Sequence, residues 1–174
     1  MRDVSRFRAV VFLLVLLLGS ALPEGNAVIV TFEIDSQSSI NFTTNPPSFT
    51  LDFSDFRKNS VTNAVNVSYT VSANDVTRLD GVLSGRLDDL FPDISFEADF
   101  GSYMKIGGNA RLVEAQPGYV TVTAQNVGIA NKVVDAGDGK LIEGQFDISY
   151  RAKALEDLVA GSHYRVLTLT FTEA

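Results

Sequence analysis

Residues 65–72 read Val-Asn-Val-Ser-Tyr-Thr-Val-Ser, an unbroken alternation of apolar and polar side chains. Successive side chains of a β-strand point to opposite faces, so this period of two predicts a strand with one buried face and one solvent-facing side. The same alternation recurs in residues 28–35, 49–54, 94–100 and 146–152. The chain is therefore expected to be all-β, with Tyr69 and Tyr150 on apolar faces in its core.

Turn-forming residues separate these segments. Asn-Pro-Pro at 45–47 ends one run, because proline cannot donate a hydrogen bond to a neighbouring strand. Gln-Pro-Gly at 116–118 predicts a turn. Residues 76–90 fit either a bulged strand or a short helix. Roughly nine to eleven short strands with regular turns are typical of a sandwich or barrel. We expect a single antiparallel β-sandwich, either Ig-like or jelly-roll-like.

The N-terminal residues have the order of a secretory signal peptide. Three arginines in residues 1–8 precede an apolar run at 9–18, which is too short for the roughly 20 residues that a membrane span needs. Small residues allow cleavage after Ala21 or after Ala27. We favour Ala27, because the alternating pattern begins at Val28. An uncleaved N-terminal anchor is the alternative.

This boundary predicts a signal peptide over residues 1–27 and one β-sandwich domain over residues 28–174. The mature protein is then expected to be secreted or held at the cell surface, with no membrane span of its own. The whole chain has a net charge of −7 and no cysteine. An acidic surface repels phosphate, so nucleic acid is not an expected partner. Without disulfides, the domain depends on packing, metal or self-association.

No residue pattern in the sequence indicates catalysis. The chain has one histidine, His163, between Ser162 and Tyr164. Adjacent residues of a strand point to opposite faces, so a Ser–His pair at this position is not favoured. Pairs of carboxylates occur in any acidic β-protein and are not specific. We expect that the protein is not an enzyme.

A glycine-rich acidic loop is the candidate metal site. Asp135 and Asp138, followed by Glu143, supply the oxygen ligands that calcium prefers. The spacing differs from that of the helix-flanked calcium loop, and a solvated turn is the simpler interpretation. We expect no resident cofactor, with calcium as the one open alternative. Asn41 and Asn66 each begin an Asn-X-Ser/Thr triplet and are candidate glycosylation sites on an exported chain.

The first strand of the mature chain is the candidate for assembly. Val28, Val30, Phe32 and Ile34 share one face, and a small polar segment, Ser-Gln-Ser-Ser at 36–39, follows. Such a strand either pairs within its own domain or fills the open edge of a neighbouring copy. In the second arrangement, these four side chains are the strand-exchange candidates.

Residues 146–152, 158–164 and 167–172 together resemble the close of secreted Ig-like pilins and spore-coat-type surface proteins. In that pattern, a strand leads through a short loop to Ala-Gly-X-Tyr, here approximated by residues 160–164, and a Thr-rich strand follows. The resemblance implies a β-sandwich structural subunit at the cell surface and no enzyme. The chain departs from chaperone–usher pilins, which usually carry a disulfide.

Two hypotheses lead, and a small hydrolase that uses the acidic clusters is a third. The first is a non-catalytic exported subunit of an extracellular fibre, pilus or coat, which self-associates by donor-strand pairing. The alternative is a monomeric surface module that binds a glycan or an envelope partner, with calcium as a possible aid.

Overall fold

The computed structural model describes residues 27–34, 39–42, 48–73 and 81–173, and the regular elements in these ranges are all β-strands. The all-β prediction is confirmed. The strands are β1 Ala27–Ile34, β2 Ser39–Phe42, β3 Ser48–Asp52, β4 Val65–Ala73, β5 Gly81–Leu87, β6 Ile94–Gly108, β7 Ala110–Glu114, β8 Val120–Thr121, β9 Val127–Val134, β10 Ile142–Ala154 and β11 Ser162–Glu173.

Two sequence-based predictions fall partly or wholly outside these ranges. The predicted signal peptide lies outside the described residues, except that Ala27 is the first residue of β1. The ambiguous segment 76–90 is described from residue 81, where it forms β5. Within the described ranges, the chain contains no helix with the length and apolar character needed to cross a membrane.

The strands form one hydrogen-bonded sheet in the order β2-β4-β10-β7-β9-β5-β11-β1-β3, and β6 pairs with both β10 and β8. Most neighbours are antiparallel, but β1 runs parallel to β11. The sheet is therefore mixed, and the single antiparallel sandwich is not confirmed. The physical reason is that a period of two fixes the face that a residue occupies but says nothing about the direction of the neighbouring strand.

Aromatic contacts show how this sheet closes on its own apolar face. β3 lies at one end of the strand order, yet the Phe49 ring on β3 stacks on the Tyr150 ring of β10, with centroids 5.1 Å apart. The Phe96 ring on β6 lies 5.6 Å from Tyr150 and 6.4 Å from Phe49. The two contacts of Phe49 join β3 to β10 and β6, strands with which β3 is not paired, and the three rings lie together in the core.

β10 is the longest strand with an unbroken alternation. Its inward residues are buried from Ile142 to Ala154, and its outward residues are half-buried. It pairs with β4 on one side and with β6 on the other. The predicted core positions of Tyr69 on β4 and Tyr150 on β10 are confirmed, because both side chains are completely buried.

β6 leaves this regular pattern near its end. Its register against β10 shifts twice, between Glu143 and Gly144 and between Phe146 and Ile148. Such bulges redirect side chains. Gly108 then turns the chain into β7 with a φ of +82°, and a Cβ atom there would collide with the carbonyl oxygen of Leu141. Glycine is required at this corner by both conformation and space.

Candidate functional site

The candidate assembly strand, β1, occupies a slot between β11 and β3. Val28 lies opposite Leu51 of β3, and Val30 lies opposite Phe49. Both valines are completely buried. Their alternation with the half-buried Ile29 faces them inward, as the period of two predicts. Burial of each valine stabilises this strand by roughly 1.5–3 kcal/mol.

The other two strand-exchange candidates continue the same strand. The backbone of Phe32 lies opposite Leu167 of β11, and that of Ile34 lies opposite Leu169. The side chains of Phe32 and Ile34 lie outside the described part of the structure. β1 thus pairs within its own chain, which is one of the two arrangements expected from the sequence.

The slot is lined by apolar side chains on both sides. Leu167 and Leu169 of β11 are completely buried, and Phe49, Leu51 and Phe53 approach from the β3 side. In the described ranges, the partner strand of β3 is β1, and β3 ends the strand order. β1 therefore connects β3 to the rest of the sheet.

The predicted calcium ligand Asp135 is held by two cations. Its carboxylate accepts a hydrogen bond from Lys105 Nζ at 2.8 Å and another from Arg111 Nε at 2.9 Å. These bonds, that of Lys105 above all, lower the pKa of Asp135. The carboxylate fastens the loop after β9 to the end of β6 and to β7.

Asp138 and Glu143 have separate roles. The Asn109 amide donates to Asp138 Oδ1 at 2.9 Å and is the main cause of a lowered pKa for Asp138; the Lys140 N–H donates to the same oxygen at 3.2 Å. Glu143 lies on β10, opposite Gly107 of β6. Among the residues that the structure describes, no group of three or more His, Cys, Asp or Glu side chains could hold a metal ion.

The glycosylation candidates lie on two adjacent strands. Asn41 is in β2, with its backbone opposite Thr70 of β4. Asn66 is exposed on β4 and accepts a hydrogen bond from Ser149 Oγ. Its sequon partner Ser68 donates to Asp147 Oδ1 at 2.5 Å. An attached glycan at Asn66 would lie on the polar face of β4 and β10.

The single histidine lies at the start of β11. His163 is half-buried and stands opposite Val28 of β1 in the parallel register. Its neighbour Ser162 is exposed. His163 is thus a neighbour of the β1 slot.

A groove between β6 and β7 was not anticipated from the sequence. It has a volume of about 340 Å³, and its walls include Phe100, Tyr103, Arg111 and Glu114. The Tyr103 hydroxyl is buried and has no hydrogen-bond partner among the described residues. Burial, followed by the charges of Asp135 and Glu143, raises the pKa of Tyr103 to about 12.

The sequence contained one sign of this groove. Gly144 breaks the row of large inward residues on β10, and the Tyr103 ring fills the space above it, where a Cβ atom would collide. A glycine inside a strand pattern often marks such a close approach. Nothing in the spacing identifies which aromatic ring takes the space.

A comparison with known protein families finds no family that matches the chain, and no curated protein matches it in sequence. What the protein does is therefore inferred from its own strands and surfaces.

Proposed function

We propose that this protein is a non-catalytic structural subunit of an extracellular fibre, pilus or coat, exported by its N-terminal signal peptide and assembled by exchange of β1 between copies. The observation that carries the proposal is the place of β1. The first strand of the predicted mature chain is a buried inner strand, with β11 on one side and β3 on the other.

The slot of β1 suits an exchanged strand. When β1 leaves, the apolar side chains of Leu51, Phe49 and Leu167 lose their cover. The β1 strand of a second copy covers them again with the same row of apolar side chains, because its sequence is identical. Exchange of an identical element between copies is a route to assembly with few new contacts to evolve. The segment 35–38, Asp-Ser-Gln-Ser, separates β1 from β2 and is small and polar.

The direction of β1 determines where an exchanged strand would enter a second copy. Ile34 lies beside Leu169, towards the far end of β11, whereas Ala27 lies beside Ser162 at its start. If β1 turns outward about residues 35–38 into a copy stacked in the same orientation, it enters the slot of that copy antiparallel to β11. The reversed strand then pairs antiparallel with β11 and parallel with β3, so one pairing of each kind is kept.

The proposal includes a two-layer β-sandwich, Ig-like or jelly-roll-like. The packing of Phe49 on Tyr150 and Phe96 supports it, because these contacts join β3 to β10 and β6 across the core. Such a sandwich leaves lateral strands through which copies can pair.

A reversible lock tests strand exchange. Ile29 and Thr50 lie opposite each other on β1 and β3, away from the fully buried row, and the chain has no cysteine. The double variant Ile29→Cys/Thr50→Cys can therefore form one disulfide that holds β1 in its own slot. Electron microscopy should show filaments for the reduced double variant and none for the oxidised one. The single variant Thr50→Cys is the control.

Filaments from the oxidised double variant, at the yield of the reduced one, would exclude exchange of β1. A wild-type exported protein that remains monomeric at every concentration would exclude the fibre subunit altogether.

The groove beside Tyr103 favours one second candidate, a monomeric surface module that binds a glycan or an envelope partner. Phe100 and Tyr103 supply apolar surface there, and Arg111 and Glu114 supply polar groups. Binding of purified envelope polysaccharide that is lost in Glu114→Ala, with an unchanged melting temperature, would support this candidate.

A further inference from the structure

Two exposed leucines flank the same strand. Leu141 precedes β10 and Leu155 follows it, and both are exposed although every inward residue between them is buried. A strand of 13 residues spans roughly 40 Å. The two leucines therefore mark opposite ends of the molecule, and each belongs to a small apolar surface.

The Leu155 patch consists of Phe56, Leu155 and Val159, three exposed apolar side chains. The Leu158 N–H donates to the Phe56 carbonyl oxygen at 2.7 Å, which holds the two loops together. Val159 is 85% exposed. Three exposed apolar side chains on loops that are joined in this way offer a contact surface to a second molecule.

The Leu141 patch consists of Met104, Ile106 and Leu141. Met104 and Ile106 are each 56% exposed on β6, beyond its first register shift. The Asn109 N–H donates to the Leu141 carbonyl oxygen at 2.9 Å, so the corner after β6 lies beside Leu141. The bulged end of β6 thus presents apolar side chains at the end of the sheet opposite the Leu155 patch.

Charge distinguishes the two ends. The segments at the Leu155 end, 55–61, 88–93 and 155–165, contain six carboxylates and three basic side chains. The segments at the Leu141 end, 104–111 and 135–143, contain three of each. Two Leu155 ends would repel each other, whereas a Leu141 end has balanced charges, in which Lys105 and Arg111 are paired with Asp135, and does not repel a Leu155 end.

We propose that the Leu155 patch of one copy binds the Leu141 patch of a second copy. A contact between two different surfaces of identical subunits repeats without closing, so it aligns copies in reversible rows, which exchange of β1 then joins into stable fibres. The inference deepens the proposed fibre function and rests on it, but the contact itself does not require exchange of β1. It also stacks copies in the same orientation, which is the arrangement that an outward β1 needs.

Complementation of two variants tests this contact. Val159→Glu introduces a charge into the Leu155 patch, and Met104→Glu introduces one into the Leu141 patch. Both side chains are exposed, so the fold should be retained, and circular dichroism checks it. In sedimentation experiments each variant alone should associate at least about tenfold more weakly than the wild type, because a carboxylate is costly to bury in an apolar contact.

An equimolar mixture of the two variants, each with β1 held in its own slot by the oxidised Ile29→Cys/Thr50→Cys disulfide, should form a dimer and stop there. Val159→Glu keeps its Leu141 patch and Met104→Glu keeps its Leu155 patch, so one intact contact remains. A matched control is Gln116→Glu, which adds the same charge at an exposed turn outside both patches. This variant should associate like the wild type.

Three results would overturn the end-to-end contact. Both variants could assemble like the wild type. One variant alone could form a stable dimer, which indicates a contact between two identical patches. The wild type could remain monomeric yet bind phosphatidylcholine vesicles through Val159, which indicates a lipid surface as the occupant.

The disulfide-locked variant separates this inference from exchange of β1. If the oxidised lock still forms the end-to-end contact but no stable fibre, both ideas stand. If the lock abolishes filaments and the two patch variants leave them unchanged, exchange stands and the end-to-end contact is wrong.

Discussion

The hydroxyl oxygens of Tyr69 and Tyr150 lie 2.8 Å apart in the core, on adjacent strands β4 and β10. Both residues are completely buried. Burial raises the pKa of both phenols well above the ordinary value of 10.0. The two hydroxyls thus provide a polar link inside a mainly apolar and aromatic interior.

Stability should fall at alkaline pH. A phenol whose folded pKa exceeds its unfolded value stabilises the fold fully below that unfolded value, and this contribution is lost as the pH rises towards the folded pKa. Tyr69, Tyr150 and Tyr103 all shift in this direction, the last to about 12. The free energy of unfolding in urea should therefore be steady to about pH 10 and decrease above it. A constant free energy of unfolding up to pH 12 would contradict the burial of Tyr69 and Tyr150 in the folded protein.

The effects of substitutions at Tyr69 and Tyr150 on the free energy of unfolding should be coupled. Tyr69→Phe and Tyr150→Phe each remove the hydrogen bond between the two hydroxyls, which is worth about 1 kcal/mol. Because each single change removes the same bond, the double variant should lose less stability than the sum of the two. Urea denaturation of all four proteins measures the coupling. Additive losses would show that the hydroxyls do not interact.

Val30 should be a sensitive position in β1. Val30→Ala removes two buried methyl groups and should lower the free energy of unfolding by about 2 kcal/mol. Thr31→Ala, on the opposite side of the same strand, is the control and should change stability by less than about 1 kcal/mol. Chemical denaturation compares the two. Equal losses would mean that β1 does not occupy its slot in solution.

Gly108 and Gly118 make a matched pair. Both have positive φ values, +82° and +78°, but a Cβ atom at Gly108 meets the Leu141 carbonyl oxygen, whereas no heavy atom lies within 4 Å of one at Gly118. Gly118→Ala should destabilise by about 1 kcal/mol through backbone strain alone. Gly108→Ala should cost clearly more, since the corner into β7 must also move. Similar melting temperatures for the two variants would contradict this geometry.

Calcium should leave the protein unchanged. Asp135 already accepts hydrogen bonds from Lys105 and Arg111, and Asp138 is engaged by Asn109. A cation would have to displace these donors. The melting temperature should therefore be the same with added calcium and with a chelator. A rise of several degrees with calcium would restore the calcium-assisted alternative.

The sequence predicted which side chains are buried better than it predicted how the strands pair. Alternation placed Val28, Val30, Tyr69 and Tyr150 in the interior, and all four are completely buried. The same alternation could not reveal that β1 runs parallel to β11, because side-chain period carries no information on the direction of the neighbouring strand.

Long-range partners were also hidden from the sequence pattern. Lys105 and Arg111 reach Asp135 from positions 30 and 24 residues earlier in the chain, across a corner made by a bulged strand. The sequence shows that Asp135, Asp138 and Glu143 lie close together in the chain, but it does not show the distant cations. The loop was therefore interpreted as a candidate calcium site. The bulges of β6 likewise decide which way Met104 and Ile106 point, and local composition does not encode that choice.

The parallel pairing of β1 with β11 also determines how the protein carries tension. Ala27 starts one strand beside Ser162, and Glu173 ends the other strand at the opposite end of the sheet. A pull applied at Ala27 and at Glu173 slides the two strands along each other. All eight residue pairs between them are then loaded together rather than broken one after another. Because the load is shared in this shear geometry, the pairing of β1 with β11, the first and last strands in sequence, resists extension of the chain.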